Sequence, residues 1–140
     1  MPTASVLFVC VKNGGKSQMA AALMRKTAGD RIAVHSAGTA PGSSLNALSM
    51  QVLGEVDAPI AGEYPKPIAP QLLTEVDLVV TLGGEARLDA PAGAVVENWD
   101  TDEPSERGID GIERMRLVRD DIAVRVEELA TRLLSVADTR

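Results

Sequence analysis

Toward the end of the chain, Ile112, Met115, Val118, Ile122, Val126, Leu129 and Leu133 recur every three or four residues, and Arg, Asp and Glu fill the positions between them. That period draws one apolar stripe along a helix and leaves a solvated face opposite it. A different pattern opens the chain. Ser5 to Val9 is a short apolar run rich in β-forming residues, which suits a strand covered on both faces. Val76 to Leu82 is a second such run, interrupted by Asp77, and Arg31 to Ser36 and Ala94 to Val96 predict two further strands. Gln18 to Thr27, rich in Ala and Met, predicts a helix with Ser17 as its N-cap and Gly29 near its end. Asn46 to Leu53 predicts a helix closed by Gly54, and Gln71 to Glu75 a shorter one. Val56 to Pro70 holds four prolines and reads as loop; Asn98 to Gly111 is polar and irregular. Strands alternating with helices predict an α/β domain with a mostly parallel sheet. In such sheets ligands gather at the carboxyl ends of the strands.

Composition narrows this picture. The 140 residues make one domain, 1–140, without internal repeat or linker. Hydrophobic residues are 45% of the chain and aromatics 2%, so the core is built from Ala, Val, Leu and Ile, and an aromatic-lined pocket is not expected. The net charge of -6 argues against a nucleic-acid partner, which needs a basic face. It leaves room for a local anion site made of aligned backbone N–H groups. A single cysteine excludes an internal disulfide. No segment has a leader's charge and apolar pattern, and none approaches the ~20 apolar residues of a membrane span. A cytoplasmic protein with no membrane partner is expected. No His/Cys cluster points to a metal.

The candidate chemistry sits just after the first predicted strand. Cys10-Val11-Lys12-Asn13-Gly14-Gly15-Lys16 reads as a loop, and Ser17 follows at the start of the predicted helix. A strand, a glycine-bearing loop and a helix start make an oxyanion cradle, because consecutive N–H groups point inward and the helix end adds partial positive charge. The same field favours the thiolate of a cysteine that opens the loop, and the thiolate is the attacking form. Lys12 and Lys16 add charge, and Ser17 can donate a hydrogen bond to the sulfur. A lone cysteine at a strand end is more often a small buried hydrophobe, but a structural turn does not need Cys, two Gly and two Lys within seven residues. The loop is not a Walker A motif, since Cys10 stands where the upstream glycine is required.

The run Val-Leu-Phe-Val-Cys-Val-Lys-Asn-Gly-Gly-Lys-Ser-Gln-Met-Ala resembles the phosphate-binding loop of the low-molecular-weight tyrosine phosphatases and their arsenate reductase relatives. Ser36-Ala37-Gly38-Thr39, Val80-Thr81-Leu82, Trp99 and Thr101-Asp102-Glu103-Pro104 extend the resemblance over nearly the whole chain. Asn-Gly-Gly-Lys-Ser-Gln-Met-Ala and Asp-Glu-Pro-Ser-Glu-Arg-Gly are most similar to the actinobacterial arsenate-mycothiol transferases. The resemblance implies a three-layer sandwich with a four-stranded parallel sheet flanked by helices. It implies Cys10 as nucleophile, residues Val11 to Ser17 as the oxyanion cradle, and an acid just before Pro104, either Asp102 or Glu103, that protonates the departing oxygen. Two departures matter. Lys16 stands where the family loop, Cys-x5-Arg, usually has arginine, and an ammonium grips an oxyanion as a point where a guanidinium grips it bidentately. The two further cysteines of the thioredoxin-coupled relatives align with Gly83 and Ala90. The resemblance therefore implies an external thiol, mycothiol, as co-substrate, a mycoredoxin downstream, and no bound cofactor.

Two other readings compete. A phosphomonoester phosphatase would use the same cradle, but those relatives often carry Tyr after the Asp-Pro, and here Ser105 follows Pro104. A non-catalytic phosphoryl carrier would not need the acid-Pro segment. His35, the only histidine, and Trp99 read as structural, so a Cys-His protease is not expected.

Overall fold

Strand β1, Ala4–Cys10, runs through the middle of the protein with Val6, Leu7, Phe8 and Val9 fully buried. Side chains alternate across a sheet, so Val6 and Phe8 enter one core and Leu7 and Val9 another. In this computed structural model, which describes residues 2–58 and 60–138, β1 lies between β2 (Ile32–Gly38) and β3 (Leu78–Leu82), and β4 (Val96–Trp99) pairs outside β3. All the pairings are parallel. Burial on both faces is the physical reason for the unbroken apolar runs.

Helices α1 (Lys16–Ala28), α2 (Ala47–Gly54) and α4 (Gly111–Asp138) contribute to the core on the Val6 and Phe8 side. All seven positions of the apolar stripe in α4 join that core. The opposite face is covered more thinly. There Leu72 and Leu73, from the single turn α3 (Leu72–Glu75), pack with Ile68, Val76 and Leu88 on Leu7, Val9 and Val79. The three-layer α/β architecture holds, with one layer much lighter than the other.

Several boundaries differ from those expected. Cys10 ends β1 instead of opening the loop, and Ala37-Gly38 belong to β2. Asp77 stays outside β3. Its carboxylate accepts the Ser5 N–H at 2.8 Å, and its own N–H donates to the Ser5 hydroxyl at 3.0 Å, pinning the starts of two strands together. Strand β4 begins at Val96, the last residue of the expected Ala94–Val96, and runs on to buried Trp99, whose ring lies 5.7 Å from that of Phe8. Ser17 is not the N-cap of α1: the helix begins at Lys16 with Gly15 before it, and no side chain caps it. Asn46 does cap α2, accepting the Ser49 N–H at 2.9 Å. Pro59, in the proline-rich loop, and Met1, Thr139 and Arg140, at the limits of the expected 1–140 domain, lie outside the described residues.

Candidate active site

The loop after β1 takes its shape from where its carbonyls go. Those of Cys10, Val11, Lys12 and Gly14 accept N–H groups from Thr39, Ala40, Gly42 and Asn46 at 2.7–3.0 Å. With the carbonyls satisfied outward, the N–H groups of Val11 to Ser17 are left without a protein acceptor among the described residues. This is the arrangement an anion needs. Gly38, paired with Cys10 across the strands, permits it: a Cβ there would lie 2.6 Å from the Val11 carbonyl oxygen. Asn13, fully buried with φ 54°, turns the loop. Its carboxamide oxygen accepts from Gln18 and from the Lys66 N–H, both at 3.1 Å.

Cys10 Sγ sits at the base of this turn, 2.8 Å from the Ser17 hydroxyl. Asn13 Nδ2 donates to the same hydroxyl oxygen at 2.7 Å. That leaves the Ser17 proton free to point at sulfur, so a chain of two hydrogen bonds orients the one cysteine. Ser17 thus serves the sulfur, as expected, and not the helix end, and the Asn13 side chain joins them, a contact the sequence did not predict.

A cavity of about 580 Å³ opens above the sulfur, lined by Cys10, Val11, Lys16, Leu82, Gly83, Gly84, Glu85, Asp100, Thr101, Glu103, Glu106 and Arg114. Lys16 and Glu103 pair inside it, and Arg114 Nη2 donates to the other Glu103 oxygen at 3.1 Å. The Lys16 ammonium, then Arg114, hold the Glu103 carboxyl below the usual carboxylate range. Asp102 takes another course. Its carboxylate is gripped by Arg107 at 2.8 and 3.1 Å, which lowers its pKa, and it does not line the cavity. Its N–H donates to Asp121 on α4 at 2.9 Å, turning the segment so that the next residue faces inward. Of the two acids before Pro104, Glu103 shares the cavity with Cys10 and Asp102 does not line it.

Lys12, expected to charge the cradle, is exposed and lines a neighbouring cleft together with Ser43, Ser44 and Asn46. Gly14 and Gly15 also line that cleft with their outer sides. His35 stays in β2, its pKa lowered chiefly by burial, and does not line the cavity. Trp99 packs on Phe8 and donates its ring N–H to Glu97 at 2.7 Å. Besides Glu85, Arg114 is a charged cavity residue that sequence reasoning missed. It lies in α4 among arginines whose spacing assigns them to a solvent face, and no local signal separates it from them.

A cysteine-based oxyanion cradle at the carboxyl end of the first strand of a parallel sheet defines the phosphatase-like class of α/β proteins. The profile of the low molecular weight phosphotyrosine protein phosphatases matches residues 5–137, and the chain belongs to that family. Within it, arsenate reductase 1 of Bacillus cereus is 34% identical over 129 residues, spanning 90% of this chain and 93% of that protein. Among solved structures, the thioredoxin-dependent arsenate reductase of Corynebacterium glutamicum superposes with a TM-score of 0.80 and 30% identity over 96% of this chain, which spans 64% of that longer one. An arsenate reductase solved in its phosphate-binding state superposes with a TM-score of 0.78 and 27% identity, over 93% of this chain and 98% of its own.

Proposed function

We propose that this protein is an arsenate reductase that works with one cysteine and passes arsenic to an external thiol, mycothiol. The observation that carries the reading is Cys10: the chain's only cysteine, held by Ser17 at the floor of a loop whose N–H groups are unpaired among the described residues. Relatives named as arsenate reductases support the substrate. The lack of any second thiol supports the external acceptor.

Arsenate, a tetrahedral anion, enters the cradle formed by Val11 to Ser17 and the Lys16 ammonium. The Cys10 thiolate attacks arsenic, a sulfur–arsenic bond forms, and one arsenic–oxygen bond breaks. The departing hydroxide takes a proton from Glu103 and leaves as water. Glu103 is ionised at rest because Lys16 and Arg114 hold it. An incoming anion that claims those cations favours its protonated form, so binding itself loads the acid. A mycothiol thiolate then attacks arsenic, the bond to Cys10 breaks, and the free thiolate returns. Finally a redoxin thiolate attacks the mycothiol sulfur. The electron pair of the sulfur–arsenic bond moves to arsenic, arsenite leaves, and a mixed disulfide carries the oxidised equivalent. These thiols remain reduced in the cytoplasm, where the reading places the reaction.

A phosphotyrosine substrate fits less well. No aromatic side chain lines the cavity among the described residues, and Tyr64, the one well-exposed aromatic, does not reach it. The deciding experiment follows arsenite release from arsenate with mycothiol plus mycoredoxin, with thioredoxin instead, and hydrolysis of a chromogenic aryl phosphate in parallel. Release with the mycothiol system alone is expected. Release with thioredoxin alone, or efficient aryl phosphate hydrolysis without arsenite release, would overturn the proposal.

A further inference from the structure

The cavity above Cys10 is short of positive charge. Glu85, Asp100, Glu103 and Glu106 line it, against only Lys16 and Arg114 among the described residues. An anion that enters meets more fixed negative charge than positive, and the loop itself offers an ammonium where a guanidinium would grip two oxygens at once. Every cation on the wall therefore matters to binding.

Arg114 is built for that task and is half idle. Its Nη2 donates to Glu103 at 3.1 Å, while its Nε is buried without a hydrogen-bond partner among the described residues. Nε and Nη2 form one edge of the guanidinium, the edge that receives two oxygens of a carboxylate or phosphate in parallel. Leaving a buried N–H unpaired forfeits the hydrogen bond it made to water, and an arriving acceptor restores it. Glu103 meanwhile spans both cations, one oxygen on Lys16 and the other on Arg114. A single carboxylate thus occupies the place of a bridging oxyanion.

We propose that Arg114 is a second cationic ligand of the oxyanion site, reaching from α4 to grip the anion opposite Lys16 once it displaces the Glu103 carboxylate that bridges the two. Arg114 then supplies from a distant helix the bidentate grip that the loop lacks, and Glu103 acts as an internal competitor of the substrate. The inference rests on the cavity being an oxyanion site, but not on arsenate being turned over.

The test is calorimetric titration of the full chain with inorganic phosphate, which cannot be reduced. Arg114→Met is expected to weaken binding by at least about tenfold, and Arg114→Lys to recover only part of it. Glu103→Gln, which keeps the shape and removes the charge, is expected to tighten binding several-fold. Melting temperatures without ligand report whether each variant folds. If Arg114→Met does not fold, Arg114→Lys alone decides, with binding at least about threefold weaker expected. Phosphate binding within twofold of the unmodified protein in the Arg114 variants would overturn the inference, as would a Glu103→Gln variant that binds more weakly. If unmodified protein fails to bind phosphate at millimolar concentration, the inference falls together with the site. If the Arg114 dependence is found but no thiol system releases arsenite, the inference stands and the proposed function fails.

Discussion

Two segments meet at the cavity, and they are held in opposite ways. The loop from Cys10 to Ser17 is fixed by backbone: four of its carbonyls bond to the strand-to-helix segment 39–46, and a glycine at 38 lets the two segments touch. The acid segment from Asp100 to Arg107 is fixed by charge: Asp102 on Arg107, Glu103 on Lys16 and Arg114, and the Asp100 carbonyl on Arg125. Backbone bonds hold one geometry whatever the solution contains. Ion pairs at a half-exposed cavity are screened and exchangeable. The first segment is therefore a rigid receptor, and the second is a set of charges that an anion can rearrange.

The sharpest way to separate the two regions is to remove the atom that the rigid one exists to hold. Cys10→Ser is expected to lower arsenite release by more than about 1,000-fold, because a serine hydroxyl is not ionised at neutral pH. Retained turnover would take Cys10 out of the chemistry. Glu103→Gln comes next: turnover at saturating arsenate is expected to fall by about 100-fold as the proton donor is lost, with little change in thermal stability. Gly38→Ala attacks the rigid segment through its packing. The new methyl must push the Val11 carbonyl aside, for an expected loss of about 1–3 kcal/mol in denaturant unfolding together with reduced turnover. Unchanged stability would mean that the loop is not pinned there. Asp102→Asn, whose side chain faces Arg107 outside the cavity, is expected to change turnover by less than about threefold. A loss as large as that of Glu103→Gln would reverse the assignment of the acid.

The smallest effect concerns charge holding the fold away from the site. Glu97 is bridged to Arg132 at 2.9 and 3.0 Å and receives the Trp99 ring N–H. Arg132, then Trp99, lower its pKa. A carboxyl lowered on folding adds stability above its unfolded pKa of about 4.3, and that stability is lost as pH falls through the lower folded value. Glu97→Gln is thus expected to cost less than about 1 kcal/mol near neutral pH, with the difference disappearing as the medium becomes acidic enough to protonate the folded carboxyl. A difference that persists in acid would assign the contribution to packing and not to charge.

The same contrast explains what could be read from sequence. The α/β alternation, the stripe of α4 and the cysteine loop were legible because each is local: a period, a run, or a spacing within eight residues. Gly38 was legible as part of a motif, though its reason, contact with the Val11 carbonyl, appears only in three dimensions. The choice between Asp102 and Glu103 was not legible, since adjacent residues share a composition and only the Arg107 and Asp121 contacts turn one outward and the other inward. Ser17 was misread as a helix cap because its type suits both a cap and a partner for sulfur. Arg114 was invisible for the reason that makes the acid segment exchangeable: its role comes from long-range charge, which leaves no periodic or local trace.

The most direct measurement is a crystal structure of the protein soaked with arsenate or phosphate. The account predicts a tetrahedral anion seated on the N–H groups of Val11 to Ser17, its central atom in line with Cys10 Sγ at about 3–3.5 Å, and Glu103 no longer on Lys16. A cradle left empty at saturating anion, or an anion bound away from the sulfur, would contradict it.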